Sequence, residues 1–417
     1  MRKNLPLSPL NKWAFLSKDS INPASISNKQ VRLFSIPGYD AHSPESVSGN
    51  TIKSTKFIVP KKCVLFSKLN PRIPRIWCVE NDNSIISVAS TEFLVVLPRN
   101  ENDLNWLYYV LSDPKFIEIV QSKVSGTSGS HQRIRPDDFF NIKVPYPEET
   151  NREGIVNIIK PLDDKIELNR KMNATLEEMA QTLFKSWFID FDPVHAKAKG
   201  KKPQGMSEEI AALFPGSFEE SEIGMIPKGW KTCELGQYIK FYKGKKAVRS
   251  TDRNTLPLIA ISVFDGQDPE MVIQDKMVIS NQEDILMVMD GASSGRVETG
   301  YSGVVGSTLA KITVQQNELR RYVYSFLKSR ELEIQTQTTG TSIPHANKRF
   351  VEAFLICKPP TDILKIFAEH AETILNKIVL NNFEAKSLIK LKNTLLPKLL
   401  SGEISVKDAE KQIKKSI

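Results

Sequence analysis

Cysteine and histidine are scarce in this chain, four and five among 417 residues. Cys63, Cys78, Cys233 and Cys357 lie far apart, in none of the short spacings that bind zinc, so free thiols in a reducing cytoplasm are expected. His42, His131, His195, His345 and His370 are scattered, with no carboxylate or cysteine at a spacing useful for metal binding or nucleophilic catalysis. No run of roughly eighteen apolar residues occurs, which argues against a membrane-spanning helix. The opening MRKNLPLSPLNKW has basic residues but no apolar stretch behind them, which argues against secretion.

Nucleotide- and cofactor-binding loops are missing too. There is neither a Gly-x4-Gly-Lys-Ser/Thr loop nor a Gly-x-Gly-x-x-Gly loop. The single Pro-Pro, in CKPPT, does not form the Asp/Asn-Pro-Pro-Tyr/Phe signature of adenine methyltransferases. A metal-dependent nuclease needs converging carboxylates, and PDDFFNIK places Asn141 where an acid would be required. The sequence therefore offers no catalytic residues and no metal ligands.

What is present is length, basic charge and repetition. A chain of 417 residues exceeds one compact core and is expected to form two or three domains. The net charge of +9 is unevenly spread: +7 over residues 1–147, +4 over 227–360 and −2 over the remainder. Two separate basic blocks fit two regions that meet a polyanion, or a mildly basic surface that keeps the protein in solution.

SGTSGSHQRIRPDDFF, residues 125–140, echoes TGTSIPHANKRFVEAF, residues 339–354. A shift of 214 keeps Gly126/Gly340, Thr127/Thr341, Ser128/Ser342, His131/His345, Arg135/Arg349 and Phe140/Phe354 in step. FIVPKKCVLFSKLN faces MVISNQEDILMVMD, each reading as strand, turn and strand. VASTEFLVV from Val88 faces VGSTLAKIT from Val305, with Ser90/Ser307 and Thr91/Thr308 aligned. A helical pattern follows in each half, and each copy then runs into a strand ending in prolines, NIKVPYP and FLICKPP. The same elements thus occur twice in the same order.

A long helix comes after each proline pair. Ile155, Ile159, Leu162, Ile166, Asn169, Asn173, Leu176, Ala180, Leu183 and Trp187 recur at steps of four and three, the seam spacing of a coiled coil. Adding 212 gives a second stripe that includes Phe367, Ile378, Asn381, Leu388, Leu395 and Leu399, broken at Lys392, where Leu391 can fill the seam. Asn169 and Asn381 hold equivalent seam positions, where a buried amide fixes register. Each stripe also fits packing of a helix on its own domain. Pro161 is expected to kink the first helix or to begin its main segment. From there to Ile189 the helix would span about 43 Å, a little over one turn of DNA, the dimension of a ruler between grooves. Residues 191–226 read as a linker with a short helix near Ser207 to Leu213, and residues 403–417 as a loose tail beyond the cap at Gly402.

Basic side chains in polar loops are the candidate DNA contacts: Lys68, Arg72 and Arg75; Lys243, Lys245, Lys246, Arg249 and Arg253; Arg296; and, in the paired motifs, His131, Arg133, Arg135, His345, Lys348 and Arg349. Arg reads guanine bidentately and Lys mostly senses phosphate. Each of these charges equally fits a solvated surface, and the histidines fit an anchor that orders a loop.

DDKIELNRKMNATLEEMAQTLFKSWFIDFDPVHAKAKGKKPQGMSEEIAALFPGSFEESEIGMIPKGW resembles the central conserved region of the specificity subunits of type I restriction-modification systems, and LKNTLLPKLLSGEI their distal conserved region. With the two-half layout, the likeness covers nearly the whole chain. It implies an α/β (α+β) architecture with target recognition domains at 1–147 and 227–360. Spacer helices at 148–190 and 361–402 would form an antiparallel coiled coil with pseudo-twofold symmetry. It further implies a subunit without catalysis or cofactor of its own that reads a bipartite site in double-stranded DNA. Two modification subunits would methylate adenine with S-adenosylmethionine, and restriction subunits would cut DNA with ATP and magnesium. The first domain departs from the family form: LPLSPLNKWAFLSKDSINP lacks the Pro-x-Gly-Trp that opens the second in IPKGWKTCELGQYIKFYKGK.

Overall fold

The computed structural model describes residues 5–82, 84–124, 132–250, 254–340 and 344–416. It divides into two compact units, residues 1–168 with 384–417, and residues 169–383. Each unit holds one mixed α/β domain and a stretch of both long helices.

In the first unit, a four-stranded antiparallel sheet has the order Ala14–Ser17, Phe93–Pro98, Lys62–Ser67, Ile76–Glu80. A five-stranded sheet contains the parallel pair Gln30–Phe34 and Ile86–Ala89. The run Lys62–Ser67 is buried on both faces, which explains its unbroken apolar character. Val64 and Phe66 face the helical core, while Cys63 and Leu65 face a core shared with the other sheet. Helices Leu104–Ser112 and Pro114–Ser122 cover the first side; Asp113 accepts from the Lys115 N–H and Pro114 opens the second helix.

The second unit repeats this plan. Its antiparallel sheet runs Ile239–Lys243, Leu309–Val314, Ile285–Val288, Val297–Glu298, and its other sheet holds the parallel pair Thr255–Ile259 and Gly303–Val305. In Ile285–Val288, Ile285 and Met287 face one core and Leu286 and Val288 the other.

Backbone hydrogen bonds give the register of the repeat and correct two alignments. The Leu10 N–H donates to Ile142 O as Leu235 does to Phe354 O, and Phe139 donates to Arg135 O as Val351 does to Asn347 O. The shift from the paired motifs onward is therefore 212, not 214, so Arg135 matches Asn347 and Ile142, rather than Phe140, matches Phe354. Ser90 donates to Phe34 O as Gly306 does to Ile259 O, which moves the Ser90/Ser307 pairing by one residue. The first domain opens as the second does, because Trp13 bonds to Leu10 O as Tyr238 does to Leu235 O. Trp13 thus stands in the place of Tyr238 rather than of Trp230.

The long helices run Glu149–Phe188 and Thr361–Ser401. Pro161 neither starts nor ends the first helix, which passes through it. Both Pro161 and Asn157, whose carbonyl loses its partner there, are exposed, so water can take the place of the missing bond. The tail is not loose. Beyond Gly402, at φ +72°, Ser405 and Asp408 form a reciprocal cap on a helix at Val406–Ser416, and Ala409 is fully buried in the first unit's core. The linker is packed as well. Ser207 caps helix Glu208–Leu213, Lys197 Nζ donates to the carbonyls of Ala211 and Phe214, and Phe214 meets Trp187 in the second unit's core.

Where the first domain meets its helix, Arg152 donates to Asp103 at 2.8 Å and to Pro147 O at 2.6 Å, and the Tyr146 hydroxyl donates to Asp103 at 2.9 Å. Both charged residues are buried. The corresponding places in the second unit hold Leu319 and Leu364, equally buried. Asp103→Ala should therefore destabilise the chain by about 3–5 kcal/mol, since it strands a buried guanidinium. Asp103→Leu with Arg152→Leu should recover most of that loss in urea unfolding.

Candidate nucleic-acid interface

Each domain builds the same clamp between two loops. In the first, the Lys68 N–H donates to Glu92 O, Ile134 to Lys68 O and Asn70 to Gln132 O. In the second, Met289 donates to Thr308 O, Ala346 to Met289 O and Gly291 to Pro344 O. Asn70 and Gly291, at φ +47° and +108°, take the left-handed turn that lets the loops close, a conformation that glycine and asparagine tolerate best. The bridge Leu69–Arg133 corresponds to Asp290–His345, so the structural partner of His345 is Arg133 and not His131. His131, Arg253, Gly126, Thr127, Ser128, Thr341 and Ser342 lie outside the described residues.

Lys68 and Arg133 come together at the first clamp. Arg133 grips Glu92 through Nε at 3.0 Å and Nη2 at 2.9 Å, and these bonds hold the Glu92 carboxyl below its ordinary value against the opposing effect of burial. Arg72 is exposed in the adjoining loop and Arg135 is exposed ahead of helix Pro136–Phe140. Arg75 is turned to Asp40, with two bonds of 2.7 and 3.0 Å.

At the second clamp Asp290 joins His345 and Lys243, with His345 Nδ1 at 2.7 Å and Lys243 Nζ at 2.8 Å. Burial alone would raise the Asp290 pKa, but the bonds from Lys243 and His345 outweigh it and hold the carboxyl below its usual range. Lys348 pairs with Glu352 and lies over the Phe241 ring. Lys245 donates to Lys276 O, Arg249 pairs with Glu270, and Lys246 and Arg349 are exposed. Arg296 is tied into its domain by Asp265, Glu298 and the Phe264 ring. Glu92 and Asp290, which hold the two clamps, escaped the sequence reading, because each lies far along the chain from the residue it holds.

Chemistry of other kinds finds little support here. Among the described residues no cluster of three or more His, Cys, Asp or Glu is placed to hold a metal ion. The cysteines are free thiols, and burial pushes Cys63, Cys78 and Cys357 up to about 12, away from thiolate reactivity. A cavity of about 290 Å³ in the first unit is walled mainly by Leu5, Val110, Phe116, Ile119, Val144 and Leu400, an apolar set. No helix among the described residues is long and apolar enough to cross a membrane.

The helix seam forms in both units. In the first, Ile155, Ile159, Leu162, Leu395 and Leu399 are buried and Ile166 and Leu388 half-buried. Lys392, the break in the stripe, reaches Asp163 at 2.6 Å and lies over Tyr108 and Tyr109, while Leu391 packs on the core. In the second, Ile378 is buried and Leu176 and Leu183 half-buried, and the asparagines form a layer. Asn169 Nδ2 donates to Asn381 O at 3.5 Å, Asn381 Nδ2 to Asn173 Oδ1 at 2.8 Å, and Asn173 Nδ2 to Asn382 Oδ1 at 2.7 Å. Phe184 meets Phe367, so the helices run antiparallel.

Twin α/β domains in tandem and two antiparallel helices define the fold class of the chain. The family model for the type I restriction modification DNA specificity domain matches residues 19–178. Over that region the chain is similar to the DNA specificity domain of type I restriction-modification systems, and its curated relatives are specificity subunits of such systems. It is 28% identical to the HindI specificity subunit of Haemophilus influenzae, over 84% of this chain and 88% of that relative. It is 24% identical to the MjaIX specificity subunit of Methanocaldococcus jannaschii, over 89% and 84%. The crystal structure of a type I restriction-modification S subunit from M. genitalium shares the fold, with a TM-score of 0.56 and 14% identity over 95% of this chain and 96% of that one.

The asparagine layer can be tested directly. Asn381→Leu removes the donor to Asn173, and unfolding should show a loss of about 1–3 kcal/mol. Replacing Asn169, Asn173 and Asn381 together with Leu should raise stability while loosening register, seen as cross-linking at more than one offset between cysteines placed along the helices.

Proposed function

We propose that this chain reads a split site in double-stranded DNA, one half-site per domain, with the gap set by the helix pair. The observation that carries this reading is the antiparallel meeting of Asn169 with Asn381, its own equivalent in the repeat. Two copies of one domain on antiparallel helices of fixed length suit two half-sites a constant distance apart. The basic loops of each clamp supply the phosphate and base contacts, with Arg133, Arg135, Lys68 and Arg72 in the first domain and His345, Lys243, Lys246 and Arg349 in the second.

Methylation and cleavage belong to partners. The chain would hold two methyltransferase subunits that modify adenine with S-adenosylmethionine, and through them restriction subunits that use ATP and magnesium. It binds no cofactor itself and works in the cytoplasm, beside the DNA.

Phe184 opposite Phe367 and Asn169 opposite Asn381 place residues 174–180 across the seam from 371–377. Removing both stretches takes one heptad from each helix, shortening the pair by about 10 Å. The selected DNA site should then keep both half-sites and lose roughly three base pairs of gap. An unchanged gap would show that the helices do not measure it.

A further inference from the structure

The two clamps are alike in backbone and unlike in side chain. Arg133 and His345 hold the same backbone position, each bridged to the opposite strand end and each followed by a buried residue whose N–H donates into that strand end. Arg133 is held by Glu92, whose counterpart in the second domain is Thr308. His345 is held by Asp290, whose counterpart in the first domain is Leu69. The holding carboxylate has thus moved from one strand end to the other, and the side chain it holds has changed with it.

Both held side chains remain open to solvent, Arg133 at 45% and His345 at 49%. A carboxylate beside each repels phosphate oxygens, so these pairs suit a base edge better than the DNA backbone. We propose that Arg133 and His345 are the corresponding base-reading residues of the two domains, each determining one base of its own half-site, with Glu92 and Asp290 as positioning residues. This rests on the split-site reading above. Arginine is the side chain that most often reads the O6 and N7 of guanine in the major groove, and Arg133 presents its exposed guanidinium from the clamp. Because His345 Nδ1 faces Asp290, that nitrogen carries the proton of the bond and Nε2 is the atom offered to a base edge.

The test is selection of binding sites from randomised duplexes by the intact chain with its modification subunits. The variants are Arg133→Lys, His345→Asn, Glu92→Gln and Asp290→Asn, each checked for unaltered thermal melting. Arg133→Lys should cost roughly 5- to 150-fold in discrimination at one position of one half-site, and His345→Asn should do the same in the other half-site only. Glu92→Gln and Asp290→Asn should weaken discrimination at the position read by the residue each holds. These two near-isosteric changes carry the test should a larger one unfold a domain. Uniform weakening over all sequences, or changes spread over both half-sites, would overturn the assignment and make the pairs phosphate contacts or loop anchors. A wild-type complex that selects no split site would overturn the functional reading itself, and this inference with it.

Discussion

A buried amide in a helix seam needs another amide opposite, and that requirement holds the two long helices of this protein in one register. Asn169, Asn173, Asn381 and Asn382 bond to one another across the pair, and a slip by a turn would put Asn169 against Ile378 or Ala385. Near the asparagines the apolar seam residues Ile166, Leu176 and Leu388 are only half-buried, so the amides are the more selective contact there. Register along the helix pair in the second unit thus depends on these side-chain hydrogen bonds.

Around that seam the chain has kept its backbone bonding and let its side chains diverge. Trp13 stacks on Tyr146 at 4.7 Å in the first unit, and in the corresponding places of the second Lys358 lies over Tyr238 at the same distance. The buried Asp103–Arg152 pair gives way to Leu319 and Leu364, and Arg133 on Glu92 gives way to His345 on Asp290. Two solutions to one geometry, one ionic and one apolar, suggest that the junction constrains shape rather than chemistry. At the clamps, change in side chain on a fixed backbone is what two domains reading different bases would need.

Much of this was legible in the sequence where the signal is local. The seam could be read from its four-three spacing, and the strand–turn–strand pairs from their alternation of apolar and polar runs. The paired motifs align two residues differently in the structure, because only nonlocal backbone bonds such as Ala346 N–H to Met289 O fix the register. Of the two readings of Pro161, the continuous helix excludes the start of a segment, since the helix already runs from Glu149. The tail was legible in principle: Ser405-x-x-Asp408 is a cap ahead of an amphipathic run, and its packing on Gly154 follows once Val406 is placed. Glu92 and Asp290 were not, since nothing nearby in the chain marks them.

The central claim is that one chain reads two half-sites across a constant gap, and single-molecule mapping of methylated adenine in the host genome tests it most directly. The account predicts modified sites with two specified blocks separated by an unspecified stretch of invariant length, lost when the gene for this chain is removed. A single contiguous motif, a variable gap, or modification that persists without the gene would contradict it.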